Sequence, residues 1–352
     1  MEREQELIVG GGPVGLYLAS KLEGATVVDA KPRSGNNVAC AGLVTDSIKT
    51  LLGVKDLRRI QVNRPKRTIV QGPSRQLEVE QRHNIIIDNK RFEELLHDKA
   101  VQAGSEVHTS ARYRRSEGST HFIATREGEK RIEATRVYGA DGPHSKVRQE
   151  FGFKPVKTMM GWQARVKSDE RMDTIRFYPH IGTYAWQIPE GDGVMRVGVA
   201  GRKSEYEAFV KGTGRIIDTR HGPIPLHDPR MRNKVIRKDV TTRLVGDAAG
   251  HIKNTTGGGI IPGMTAADAI ANKRHATRLN AELYSHFLVH NIMKRYSMRD
   301  WDRFIEAGQA HRELLAHTSR EEAMRLVWNM GRNTTFWKMS LSKLASGKVR
   351  II

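Results

Sequence analysis

Leu7-Ile8-Val9-Gly10-Gly11-Gly12-Pro13-Val14-Gly15-Leu16-Tyr17-Leu18-Ala19 sets the architecture of this chain. Leu7 to Val9 is a short apolar run of the kind that forms a buried strand, and Leu16 to Ala19 continues as helix. Between them, Gly10, Gly12 and Gly15 keep the G-x-G-x-x-G spacing in the strand-to-helix context that a dinucleotide-binding turn requires. The first glycine permits the tight turn, the second lets the backbone approach a pyrophosphate, and the third lets helix and strand pack closely. The helix start adds free N–H groups and a positive dipole end. A second strand, Ala25 to Val28, ends at Asp29, 19 residues beyond Gly10, where an acidic side chain takes the ribose hydroxyls of the adenosine half.

Composition narrows the class. At 352 residues with 38% hydrophobic content and a mean hydropathy of -0.54, the chain can bury a core of normal size and reads as globular. No apolar run reaches the length of a membrane-spanning helix. The charged start, Met1 to Glu6, has no signal-peptide core, so a cytoplasmic location is expected. A single cysteine, Cys40, excludes an internal disulfide framework. The net charge of +20 is uneven: Lys273 to Ile352 carries 15 Lys/Arg against 7 Asp/Glu, or +8. Nucleic acid, an anionic membrane surface and phosphorylated substrates are the physical partners of such a charge. Without zinc-finger spacing or an aromatic RNA-binding strand, nucleic acid is not expected. A solvated basic surface is the plain alternative.

Two further segments share a pattern. Thr135 to Tyr138 reads as a strand and leads into Gly139-Ala140-Asp141-Gly142-Pro143-His144-Ser145-Lys146-Val147-Arg148, which resembles the A-D-G-x-x-S-x-x-R segment of flavoprotein hydroxylases. Thr241-Thr242-Arg243-Leu244-Val245-Gly246-Asp247-Ala248-Ala249-Gly250 resembles their second flavin fingerprint, a strand entering G-D-A-A-G. Pro13 in the first loop is also typical of flavin versions. The resemblance implies FAD, with the Asp247 carboxylate accepting from the ribityl chain. Asp88-Asn89-Lys90-Arg91-Phe92 fits a family helix beginning D-R-x-x-F-D, except that Asn89 stands where an arginine helps hold the pyrophosphate. Either Arg91 substitutes from the next turn, or Asp88 only N-caps an amphipathic helix running to Ala103.

The scattered fingerprints require a discontinuous, Rossmann-like FAD-binding domain, over residues 1–60, 82–155 and 236–280. Residues 61–81 and 156–235 form an inserted antiparallel substrate sheet, with strands expected at Lys157–Lys167, Asp173–Tyr178, Thr183–Pro189 and Met195–Ala200. Glu190-Gly191-Asp192-Gly193 is a hairpin loop. Residues 281–352 read as a C-terminal helical region. The fold class is α/β, flavoprotein hydroxylase-like. With no second G-x-G-x-x-G, a separate nicotinamide domain is not expected, and electrons must come from an external donor, ferredoxin-like or nicotinamide.

Cys40-Ala41-Gly42-Leu43, Tyr184-Ala185-Trp186-Gln187-Ile188-Pro189 with Val197-Gly198-Val199-Ala200-Gly201, and Lys253-Asn254-Thr255-Thr256-Gly257-Gly258-Gly259-Ile260 together resemble the geranylgeranyl reductase family. They match its C-x-G-L segment, its Y-x-W-x-F-P strand and its K-P-T-T-G-G-G-I loop. The likeness spans about residues 6–275, with Ile188 for phenylalanine and Asn254 for proline. FAD is then assigned to Gly10, Gly12, Pro13, Val14, Gly15, Asp29, Ala30, Cys40, Ala41, Gly42, Arg91, Ala140, Asp141, Gly142, Gly246, Asp247, Gly258, Gly259 and Ile260. Cys40, Tyr184 and Trp186 are the candidate reaction residues. Cys40 is either a small buried hydrophobe or a neighbour of the flavin ring. Tyr184 and Trp186, two apart on a strand, share a face and form either core or the lining of a polyprenyl channel. His144, His180, His221 and His251 lack metal-ligand spacing, and no metal is expected.

The resemblance implies reduction of C=C bonds in geranylgeranyl chains, on archaeal-type digeranylgeranyl phospholipids. Hydride would come from flavin N5, and a proton from Cys40, Tyr184 or a flavin-bound water. An enzyme docked on the inner face of an anionic membrane would give the positive charge a role, with Trp301, Trp328 and Trp337 either interfacial or in the helix core. A flavin-dependent halogenase or monooxygenase is the competing enzyme class, although the catalytic lysine of a halogenase is not identified in the sequence. A flavoprotein passing electrons to quinone is the non-enzymatic alternative.

Overall fold

The structure is a computed structural model that describes residues 5–35, 40–274, 276–319 and 321–322. Its central feature is a six-stranded sheet in the order Lys234–Arg237, Val240–Leu244, Arg136–Gly139, Glu6–Val9, Thr26–Val28 and Glu106–His108. All pairings are parallel except that of the edge strand Lys234–Arg237. Leu7, Ile8, Val27 and Val137 are wholly buried, as expected where a parallel sheet is covered on both faces. This order places the C-terminal ends of four parallel strands side by side: Val28, Val9, Gly139 and Leu244. Segments more than a hundred residues apart in sequence therefore meet along one rim, where open α/β sheets bind ligands.

The second layer is a seven-stranded sheet in the order Arg215–Pro225, Thr158–Lys167, Val194–Ala200, Tyr184–Gly191, Thr174–Tyr178, Arg67–Gln71 and Gln76–Glu80. Its four central strands lie within a residue or two of those read from alternation, and residues 61–81 do contribute two more. Asp192 and Gly193, both at positive φ (52° and 67°), close the hairpin between Gly191 and Val194. One face packs on the helix Lys203–Val210 through Ala164, Val166, Val197 and Val199. The other presents Tyr184, Trp186 and Ile188 toward Ala41 and Leu43. The long edge strand Arg215–Pro225 and the three-stranded meander Arg112–Glu117, Thr120–Thr125, Gly128–Glu133 are absent from the sequence reading. Their patterns, RYRRSE and GEKRIE, lack the apolar alternation that marks a strand.

The C-terminal region contributes the helices Thr277–Met293, Met298–Gln309 and Arg312–His317. The second of these rests on the outer strand of the large sheet, with Ile305 buried against Leu77 and Val79. Asp302 accepts the backbone N–H groups of Ser74 and Arg75 and the Ser74 hydroxyl. Trp301 is 6% exposed and stacks edge-on to Tyr296 and Phe304, so it is helix core and not an interfacial anchor. Trp328 and Trp337 lie outside the described residues. No helix among the described residues is long and apolar enough to cross a membrane.

Gly198 tests the packing of the large sheet. A Cβ there would lie 2.3 Å from Trp186 Cζ2 and 2.7 Å from the Trp162 carbonyl oxygen, a backbone atom that cannot yield. Gly198→Ala should therefore lower unfolding stability by about 1–3 kcal/mol, read by denaturant titration.

Candidate active site

At the rim of the parallel sheet three backbones crowd together. A Cβ on Gly10 (φ +107°) would sit 2.3 Å from the Ala140 carbonyl oxygen, and one on Gly15 would sit 1.9 Å from the Gly10 carbonyl oxygen. Gly11 is equally constrained, by the Asp29 carboxylate at 2.7 Å. Gly12 and Gly142, by contrast, face open space. The inner glycines thus close the turn, and the outer ones leave bare backbone where a ligand can come near. Helix Pro13–Ala19 starts here with Gly12 as its N-cap.

The cavity that opens from this rim has a volume of about 340 Å³ and runs to the large sheet. Of the residues assigned to FAD from sequence, Gly12, Pro13, Val14, Cys40, Ala41, Gly42, Ala140, Gly142, Gly246, Asp247, Gly258, Gly259 and Ile260 line it. Gly10 and Gly15 lie inside the turn, and Asp29 backs it. Ala30 is exposed beside Asp29. Asp141 Oδ2 accepts from the Lys146 and Val147 amides (2.6 and 3.1 Å), which makes it a cap for the short helix Lys146–Glu150. Arg91 does not reach the cavity: its side chain is 60% exposed and pairs loosely with Asp88 at 3.8 Å. Asn89 explains itself differently, because its Nδ2 donates to the Cys40 carbonyl at 2.8 Å and fixes the C-x-G-L segment.

The far wall is the large sheet. Tyr184, Trp186, Ile188, Phe177 and Ile224 line it, as the shared face of Tyr184 and Trp186 requires. Trp186 Nε1 donates to Gln163 Oε1 (3.1 Å), while the buried Tyr184 hydroxyl has no hydrogen-bond partner among the described residues. Burial alone raises the Tyr184 pKa, so the phenol stays protonated. Gly257 meets this hydroxyl so closely that a Cβ would fall 1.9 Å from it. Cys40 is likewise held as the neutral thiol: burial pushes it up, against the smaller opposing effects of the Gly42 amide (3.3 Å) and the Arg196 charge.

The residues fit FAD by their own geometry. Asp247 lines the cavity at the start of the turn Gly246–Ala249, and burial raises its pKa to about 6. A carboxylate so placed gains from a hydroxyl donor arriving in the cavity. Gly259, whose Cβ would come within 2.9 Å of Asp247 Oδ1, keeps the glycine loop against it.

Residues 4–247 match the model of the FAD binding domain family. Digeranylgeranylglycerophospholipid reductase 1 of Methanothermobacter thermautotrophicus is 30% identical over 73% of this chain and 73% of its own length. The chain belongs to this FAD-binding reductase family. A second reductase of that organism, digeranylgeranylglycerophospholipid reductase 2, is 29% identical over 76% of the chain and 79% of the relative. In fold, a geranylgeranyl bacteriochlorophyll reductase-like protein from Thermoplasma acidophilum superposes with a TM-score of 0.74 at 20% identity, covering 93% of this chain and 99% of that one.

Like its family, the protein binds FAD. Arg196 is absent from the sequence reading, and Arg148, Asn254 and Lys253 appear there only as motif letters without a partner. Arg196, 6% exposed, donates from Nη1 to the carbonyls of Ala41 (2.7 Å) and Ile87 (3.2 Å) and from Nε to Glu190 (2.9 Å). Its signal was present: an arginine inside the apolar run Val194–Ala200. Arg148 reaches from the A-D-G segment to the Ala248 carbonyl (2.8 Å) and so ties that segment to the G-D-A-A-G turn. Asn254, where relatives are expected to carry proline, pairs with the backbone of His227 in both directions (2.7 and 3.0 Å). Lys253, quoted in the sequence only as the first residue of the glycine loop, is a lysine at the cavity. It lines the cavity at 5% exposure, with its ammonium 2.7 Å from Glu321. His251 and His286 are pushed down to about 3, mainly by burial, and are neutral. Among the described residues no cluster suits a metal.

The raised pKa of Asp247 gives a signed prediction. Hydroxyl donors of FAD at Asp247 would favour its ionised form, put the bound pKa below the free value of about 6 and release a proton on binding. FAD affinity should therefore weaken as pH falls through this range, by up to about tenfold per unit. Fluorescence titration of apoprotein between about pH 5 and pH 8 measures this, and Asp247→Asn should flatten the slope.

Proposed function

We propose that this protein is an FAD-dependent reductase that saturates C=C bonds of geranylgeranyl chains, with archaeal-type digeranylgeranyl phospholipids as substrates. Family membership supports the reaction class, and the cavity supports the substrate: an apolar wall of Phe177, Tyr184, Trp186, Ile188 and Ile224 faces the glycine rim. An isolated alkene offers no hydrogen-bonding handle, so its placement must come from shape and apolar contact.

Reduced FAD, when bound, supplies a hydride to one alkene carbon. The chain's part is to hold the alkene, exclude water and supply the proton for the other carbon. Tyr184 carries the observation on which this reading rests. Its hydroxyl lies on the cavity wall, and burial raises its pKa and keeps it protonated, so it holds a proton there. Cys40, which also lines the cavity, holds a second proton as the neutral thiol. Gln163 and Gly198 position Trp186, and Gly257 leaves room for the phenol. The assigned residues from Gly10 to Ile260 hold FAD, with Arg91 the member that the geometry does not support. Electrons come from an external donor, ferredoxin-like or nicotinamide, and the protein works at the inner face of the membrane.

Anaerobic mixing of reduced holoenzyme with digeranylgeranylglyceryl phosphate tests the reading by flavin absorbance. Return of the oxidised spectrum with the lipid is expected, and Tyr184→Phe should slow it by about a hundredfold if the phenol gives the proton. Reoxidation only by quinone would mark an electron carrier. Reoxidation only by oxygen, with a halogenated or hydroxylated product, would mark the competing enzymes.

A further inference from the structure

The edge strand Arg215–Pro225 of the large sheet carries a feature that the reaction does not use. Its last six residues, Arg220 to Pro225, wall the cavity. Its first residues leave the body of the protein exposed. Thr219 pairs with Ala164 and Asp218 with Arg165, but the next pair is Ile216 with Val166, so Ile217 is an extra, bulged residue. The bulge breaks the in-out alternation of the strand. As a result the neighbours Ile216 and Ile217 are both exposed, at 49% and 43%.

Solvent-facing edges normally carry charge or proline to prevent pairing with another chain. Here two isoleucines sit beside Lys211, Arg215 and Arg220, all exposed. The one acid among them, Asp218, is engaged by Arg165 at 3.0 Å. Adjacent apolar side chains framed by cations suit an anionic bilayer, where isoleucine enters the acyl boundary and arginine meets lipid phosphate. The four residue steps from Ile216 to Arg220 span about 13 Å of strand, so the cavity wall begins within reach of a bilayer in contact with the isoleucines.

We propose that the bulged edge at Ile216–Ile217, with Lys211 and Arg215, docks the protein on an anionic lipid bilayer and brings the cavity to its substrate. This rests on the reading of the substrate as a membrane lipid. It also gives part of the +20 charge a definite place.

Holoenzyme is sedimented with phosphatidylglycerol vesicles and with phosphatidylcholine vesicles, at low and high salt. Binding to the anionic vesicles that weakens with salt is expected. Ile216→Ser/Ile217→Ser and Lys211→Glu/Arg215→Glu should each bind on the order of tenfold more weakly. Both should keep wild-type thermal unfolding and reduction of detergent-dispersed lipid. Ile236→Ser, at 61% exposure on the edge strand of the other sheet, should bind as wild type does. Wild-type binding by both double variants would overturn the proposal. So would a wild type that ignores vesicles, or variants whose only change is loss of a dimer, since the edge would then pair two copies. Vesicle binding without lipid reduction would instead remove the reductase reading and leave the docking edge standing.

Discussion

The buried guanidinium of Arg196 is the hinge of the whole arrangement. It belongs to the seven-stranded sheet, yet two of its hydrogen bonds go to carbonyls outside that sheet, at Ala41 and Ile87. Its charge is balanced by Glu190, which Arg165 also holds at 2.7 Å. Burial pushes the Glu190 carboxyl up, but these two arginines outweigh it and leave the pKa below the usual range. A buried charge network of this kind adds little to stability compared with apolar packing, but removing one member leaves the others stranded at a cost of about 3–5 kcal/mol. Its value is geometric. It fixes where the Cys40–Gly42 segment lies between the glycine rim and Tyr184, and Gly42 is required because a Cβ would fall 2.3 Å from the guanidinium.

The same economy governs the glycine loop of residues 253–260. Asn254 anchors the loop to His227, Lys253 folds its stem over Gly258, and Gly257 leaves room for the Tyr184 phenol. Each glycine in the run answers a different neighbour: Tyr184, Lys253 and Asp247 in turn. The ion pair of Lys253 with Glu321 also brings the C-terminal region to the cavity, with Thr45 Oγ1 donating to the same carboxylate at 3.3 Å.

Much of this was legible in the sequence because it depends on local backbone rules. A strand running into Gly10–Gly15 has few alternatives, and the alternation from Tyr184 to Ile188 put two aromatics on one face. Parallel order then explained why Asp29, Asp141 and Asp247 gather. What stayed hidden depends on partners distant in sequence. The partner of Asn89, the Cys40 carbonyl, is distant in sequence. Of the two readings of residues 88–91, the geometry favours Asp88 as N-cap, with the Arg91 side chain turned to solvent. Polar strands such as Arg215–Pro225 carry no apolar period, and a bulge such as that at Ile217 has no signature in residue types. Trp301 could be interface or core by composition alone, and only the rings of Tyr296 and Phe304 decide it.

The central claim is that the cavity between Gly258 and Trp186 accepts a prenyl chain for saturation. The most direct measurement is the mass of the lipid itself after anaerobic turnover with reduced holoenzyme in heavy water. Digeranylgeranyl lipid should gain hydrogen pairs, one pair per saturated bond, with solvent deuterium appearing at the protonated carbon. A lipid recovered unchanged while the flavin is reoxidised would contradict the claim.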